Sequence, residues 1–95
     1  MIPTLVDVQL ARERLRPYLT PTPLEAAVGM SNLWLKLENA NKTHSFKCRG
    51  ALNALLAMSE SQRAKGVVTA SSGNHGQGVA YAARLLNINA RIVMP

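Results

Sequence analysis

Two short apolar runs, Gly66–Ser72 (GVVTASS) and Ala90–Pro95 (ARIVMP), flank a segment rich in alanine and glycine from Asn74 to Leu86. Runs of this length bounded by turn residues read as buried strands, and the segment between them reads as a helix of small residues. Two strands joined through a helix are parallel, because a parallel pair needs a crossover of about a dozen residues or more. The same alternation begins further upstream. Leu33, Leu35 and Leu37 alternate with Trp34, Lys36 and Glu38, the period of a strand with two unlike faces. After a polar loop from Glu38 to His44, a helix is expected from Ser45 as N-cap through Leu52, Leu55 and Leu56 to Met58. Strand, helix, strand, helix, strand is the order of an α/β fold built on a parallel sheet with helical crossovers. Parallel strands are normally covered on both faces, yet the last run has no helix after it. Residues 1–95 are therefore expected to be the N-terminal portion of a longer fold.

Before this unit, Thr4 followed by Asp7 predicts a capping box. Val6, Leu10 and Leu15 give a loose apolar stripe along a helix that stops near Pro17, and the prolines of TPTPL, Thr20–Leu24, force an extended segment. No repeat, low-complexity tract or linker interrupts the chain.

Hydrophobic residues make up 47% and charged residues 17%, the balance of a folded domain rather than a disordered tail. No apolar run approaches the roughly 20 residues a membrane span needs, and MIPTLVDVQLARER lacks the apolar core of a secretory signal. A cytoplasmic location is expected, without membrane contact. Cys48 is the single cysteine, in keeping with a reducing compartment. The net charge of +6, from 11 Lys and Arg against 5 Asp and Glu, is spread along the chain with no dense basic run and no interleaved aromatics. No nucleic-acid partner is expected. His44, His75 and Cys48 form no ligand set, and no metal is expected.

Two stretches carry the chemistry. In SFKCRG, Ser45–Gly50, Lys47 falls in the first turn of the expected helix, where the macrodipole already presents positive charge. A lysine that attacks an aldehyde must spend time as free amine, whereas an ordinary surface lysine is only about one part in a thousand unprotonated near neutral pH. A helix N-terminus, the nearby Arg49 cation and partial burial would all favour the amine. The plainer alternative is a solvated lysine beside a core phenylalanine. In SSGNHGQG, Ser71–Gly78, a strand turns into a helix through Gly73, Gly76 and Gly78. Such a turn aims free N–H groups outward and suits a carboxylate or phosphate. Asn74 and the hydroxyls of Ser71 and Ser72 add polar groups at its mouth. The plainer alternative here is a capped helix with glycines for close packing. The turn fits neither the G-x-G-x-x-G fingerprint nor a Walker loop.

Together, SFKCRGA and SSGNHGQGVA, with LKLEN before and RIVMP after, resemble the fold-type II pyridoxal-phosphate enzymes, the tryptophan synthase β-like group. The branch most resembled is the serine/threonine dehydratases, or threonine ammonia-lyases, which also includes serine racemase. The resemblance runs from TPTPL to Pro95 and makes 1–95 the N-terminal part of a catalytic domain. It implies pyridoxal 5'-phosphate as cofactor, with Lys47 forming the imine, Phe46 packing beside the ring and Asn74 bonding its 3-oxygen. It further implies that Ser71, Ser72, Gly73, Asn74 and His75 hold the carboxylate of a small amino acid substrate. Ser72 matches the second acid/base of the racemases. The implied reaction is β-elimination from L-threonine or L-serine to a 2-keto acid and ammonia, with racemisation as the alternative, and a homodimer is implied for a full-length form. The pattern departs from the family at Asn41, where Gln is usual, and at His44, where Gly is usual. The tetraglycine phosphate loop of the family, and the Ser or Cys at its pyridine nitrogen, lie further along than residue 95. A chain with the lysine motif but no phosphate anchor, catalytically inactive by itself, is the remaining alternative.

Overall fold

The computed structural model describes all residues, 1–95. The first helix, α1 (Leu5–Leu15), starts as its capping box dictates: Thr4 N–H donates to Asp7 Oδ2 at 2.7 Å and Asp7 N–H returns to Thr4 Oγ1 at 3.4 Å. Its expected apolar stripe is a core face only at the end. Leu15 is buried, while Val6 and Leu10 are exposed, and near that end of α1 Arg14 Nη1 donates to Asn53 Oδ1 at 3.0 Å.

The extended TPTPL segment runs into β1 (Leu24–Ala26), which pairs with β2 (Trp34–Lys36). The pairing is antiparallel, with Leu24 opposite Lys36 and Ala26 opposite Trp34. Here the structure corrects the expectation that the Leu33–Leu37 strand joins the parallel sheet. The connection between β1 and β2 is of hairpin length and turns through Gly29 and Asn32, both at positive φ, which leaves no room for a crossover.

A 3-10 turn (Glu38–Ala40) leads to α2 (Lys47–Ala57). Ser45 is not the N-cap. Phe46 takes that position with near-helical backbone angles, and Ser45 acts one residue further out, its buried hydroxyl accepting from Lys47 N–H at 3.2 Å. A short helix that the apolar pattern does not reveal, α3 (Glu60–Lys65), follows, with a second capping box between Ser59 and Gln62. Gly66, at φ 77°, ends it. A Cβ there would stand 2.8 Å from the Asn89 carbonyl oxygen, so the junction requires glycine.

The expected strand–helix–strand unit is present: β3 (Val67–Ala70), α4 (Asn74–Leu85) and β4 (Ala90–Val93), with β3 and β4 parallel and Val67 opposite Ala90. The parallel sheet therefore has two strands. They are less buried than their apolar sequence suggests: Val67, Thr69 and Ile92 are half-buried under α4, whereas Val68 and Val93 face away and are exposed. The core lies where α2 crosses α4. Cys48, Ala51, Leu52 and Leu55 from α2 meet Val79, Ala82 and Ala83 from α4, and Leu15, Leu19 and Ile88 close the edges. Leu52 and Cys48 are the large side chains sealed completely from solvent. No helix is long and apolar enough to cross a membrane.

Candidate functional site

The helix crossing determines what lies near Lys47. Gly78 sits against the first turn of α2, so closely that a Cβ would be 3.0 Å from the carbonyl carbon and oxygen of Lys47 and 3.2 Å from the Cys48 nitrogen. Without that glycine the start of α2 could not approach α4 at this distance. The approach brings Lys47 beside the head of α4, and with it the Ser71–His75 turn, which follows the carboxyl end of β3. Ligand sites of parallel sheets form at that end.

A shallow groove of about 290 Å³ lies between the two helices, walled by Phe46, Lys47, Gly50, Ala51, Ala54, Leu55, His75 and Val79. Lys47 is its only cation. The Nζ of Lys47 stands 5.1 Å from the centroid of the exposed Phe46 ring, within cation–π range. The His75 imidazole reaches this groove while its Nε2 lies 3.1 Å from Thr69 Oγ1 on β3. A larger cavity of about 510 Å³ opens beside Gly66, Val67 and Ala90, at the amino ends of β3 and β4. It lies at the opposite end of the strands from Lys47, and its volume does not make it the better candidate.

The turn itself is held by Ser71. Its N–H donates to the Val93 carbonyl at 3.0 Å, and its hydroxyl accepts from Gly73 N–H at 3.3 Å and Gly76 N–H at 3.0 Å. The Ser71 side chain is thus committed to shaping the turn. Gly76 is needed for the same closure, since a Cβ would come within 3.0 Å of the Ser71 carbonyl oxygen. The N–H groups of Ser72, Asn74 and His75 donate to nothing in the chain and stand at the positive end of α4. Ser72, Gly73 and Asn74 are exposed there, outside the walls of the groove. Of the residues singled out by sequence, Phe46, Lys47 and His75 meet in the groove, and Ser71–Asn74 form the neighbouring turn.

Two expectations about the surroundings of Lys47, partial burial and the nearby charge of Arg49, are corrected. The residue is exposed, and the charge of Arg49 is turned away, bound to Glu38 through Nε–Oε2 at 2.7 Å and Nη2–Oε1 at 3.0 Å. Glu38 also accepts from Thr22 Oγ1 at 2.5 Å and Asn41 Nδ2 at 2.6 Å. The fork from Arg49, aided by Thr22 and Asn41, lowers the Glu38 pKa to about 2 against a smaller opposing effect of burial. The same pair raises the Arg49 pKa further. Glu38 is the residue that sequence reasoning passed over. A carboxylate whose partners are 16, 3 and 11 residues away follows no helical or strand period, so no pattern marks it. Asn41, in place of the usual Gln, is buried in this network, and His44 adopts φ 57°, a conformation that glycine takes more readily.

The family described as pyridoxal-phosphate dependent enzymes matches residues 15–95. The catabolic L-threonine dehydratase of Staphylococcus aureus (strain N315) is 46% identical over 99% of the chain, which spans 29% of that protein. Maize serine racemase superposes with a TM-score of 0.91 at 40% identity, covering 96% of this chain and 30% of that one. The T.th. threonine deaminase does so with a TM-score of 0.87 at 45% identity, covering 98% and 31%. The chain thus spans less than a third of the length of these relatives, and with the match running through both the lysine helix and the glycine turn, it belongs to the pyridoxal-phosphate dependent enzyme family.

Proposed function

We propose that residues 1–95 are the lysine-bearing N-terminal part of a catalytic domain that converts L-threonine or L-serine to a 2-keto acid and ammonia. The observation that carries this reading is the single amine at the edge of an apolar groove, with an unfilled N–H turn on the adjoining helix head. The residues present fit the ring end of pyridoxal phosphate. Phe46, Ala51, Ala54, Leu55 and Val79 offer an apolar lining, and Lys47 offers the one primary amine in reach of an aldehyde. When bound, the cofactor supplies an electron sink for the pair left at Cα.

The chain's own groups supply the rest. Lys47 Nζ would hold the cofactor, and as a free amine it would accept the Cα proton. The N–H groups of Ser72, Asn74 and His75 bind the substrate carboxylate and orient the Cα–H bond, a positioning contribution. By the family resemblance, the Asn74 side chain at the edge of the turn would bond the ring 3-oxygen. The exposed Ser72 hydroxyl is a second proton-handling group, which supports racemisation as the second reading, as does the likeness to maize serine racemase. Exposed Trp34, Leu35, Val68 and Val93 support additional covering structure in the complete enzyme, as further chain or as the second subunit of a homodimer. A cytoplasmic setting suits the unpaired Cys48 thiol.

The test is titration of the purified chain with pyridoxal phosphate, followed by borohydride reduction and peptide mapping. Trapping concentrated on Lys47, and abolished there by Lys47→Ala, is expected. Label spread evenly over Lys36, Lys42, Lys47 and Lys65 would refute the assignment of Lys47.

A further inference from the structure

We infer that Glu38 is a positioning residue for Lys47: it clamps the segment leading into α2 and fixes the backbone from which the lysine projects. The inference rests on the reading of Lys47 as the cofactor lysine, and it names a residue that does not itself touch the groove.

Four hydrogen bonds from three separate segments converge on this one carboxylate. Thr22 Oγ1 comes from the extended segment before β1, Asn41 Nδ2 from the loop, and Arg49 Nε and Nη2 from the first turn of α2. Thr22 is anchored in turn, because Lys36 Nζ on β2 donates to its carbonyl oxygen at 2.6 Å. The clamp therefore ties the first turn of α2 to the β1–β2 hairpin as well as to the loop.

Arg49 lies two residues after Lys47 on the same turn. Pinning its planar fork by two parallel bonds fixes how that turn is rotated about the helix axis, and so where Lys47 points. On the other side, Gly78 of α4 abuts the Lys47 carbonyl. The backbone of Lys47 is thus gripped by Glu38 through Arg49 and by α4 directly. Between the clamped ends, the loop is already restrained by the Asn41–His44 turn, His44 N–H to Asn41 oxygen at 2.9 Å, and by His44 Nδ1 at 3.3 Å from the Asn39 oxygen. The pair keeps some solvent, with side chains 24% and 32% exposed for Glu38 and Arg49, so the clamp avoids the full desolvation cost of a buried ion pair.

The experiment compares the 95-residue chain with Glu38→Gln and Thr22→Val by two readouts. Amide hydrogen exchange is followed in residues 39–47 and in α4, and pyridoxal-phosphate trapping by borohydride is mapped as the ratio of label on Lys47 to label on Lys65. Glu38→Gln is expected to speed exchange in 39–47 about tenfold without changing α4, and to lower the label ratio by a similar factor, on the scale of one lost charge-assisted hydrogen bond. Thr22→Val, which removes one bond of the four, is expected to move both readouts in the same direction by about threefold; it carries the test if Glu38→Gln does not fold. Faster exchange throughout the chain, or an unchanged loop, would overturn the clamp. If the unsubstituted chain shows no preference for Lys47, the assignment of that lysine fails, and the exchange arm alone decides whether Glu38 holds the segment.

Discussion

Alanine substituted for Gly50 should stabilise the chain, whereas alanine substituted for Gly78 should not. Both glycines lie inside helices, α2 and α4, where glycine is less favourable than alanine by about 1 kcal/mol. That gain is common to both substitutions and cancels in their difference. At Gly50 an added Cβ meets nothing within 4 Å, so Gly50→Ala should stabilise the chain by about 0.5–1 kcal/mol. At Gly78 the Cβ would meet the Lys47 carbonyl at 3.0 Å, where carbon contacts are normally about 3.5–4.0 Å. The obstacle is backbone in a packed helical turn, which cannot rotate aside, so α2 must shift. Overpacking of this kind costs about 1–3 kcal/mol. Set against the propensity gain, Gly78→Ala should be neutral to about 2 kcal/mol destabilising. The difference between the two variants, about 1–3 kcal/mol, is then the steric effect alone. Urea unfolding of both variants measures it. Equal stabilities within about 0.5 kcal/mol, a margin within which distant effects ordinarily add, would refute the claim that α4 presses on Lys47. Gly50 also walls the groove, so the stabilised Gly50→Ala chain should trap less pyridoxal phosphate on Lys47.

Stability should also depend on pH through Glu38. Its folded pKa lies below the unfolded value, so the stabilisation is complete above about pH 4.5 and is lost as pH falls through about 2. The shift sets a ceiling of about 3 kcal/mol, and partial exposure reduces the expected contribution to about 1–2 kcal/mol. The stability difference between the unsubstituted chain and Glu38→Gln should therefore shrink between pH 5 and pH 2, and a pH-independent difference in urea unfolding would count against the network. Leu52→Ala, at a fully sealed position in the helix crossing, should cost about 2–5 kcal/mol in the same assay. A loss under about 1 kcal/mol would mean that the α2–α4 contact is looser than described.

Much of this is legible in the sequence because its causes are local. The Thr4–Asp7 box caps α1 through groups three residues apart, and the apolar runs around a small-residue segment could form only a crossover unit. The Ser59–Gln62 box is equally local, present as S-x-x-Q, but no apolar periodicity accompanies it and α3 stays hidden. The Ser71–Gly78 stretch reads as an N–H turn, and Ser72, Asn74 and His75 do leave their donors free. The partner of the Leu33–Leu37 strand is not legible, since alternation says which faces a strand has and nothing about which neighbour it bonds.

The Thr4–Asp7 cap, the strand–helix–strand unit, the lysine at a helix start and the glycine turn after a strand follow from the sequence alone, because backbone sterics and hydrogen bonds over a few residues dictate them. Tertiary structure decided the rest. It turned Arg49 from Lys47 toward Glu38, joined Glu38 to Thr22, and used Gly78 to bring the lysine helix against the turn helix. Those outcomes depend on which distant groups meet in space, and a charge or a missing Cβ acts only on what lies within a few ångströms of it.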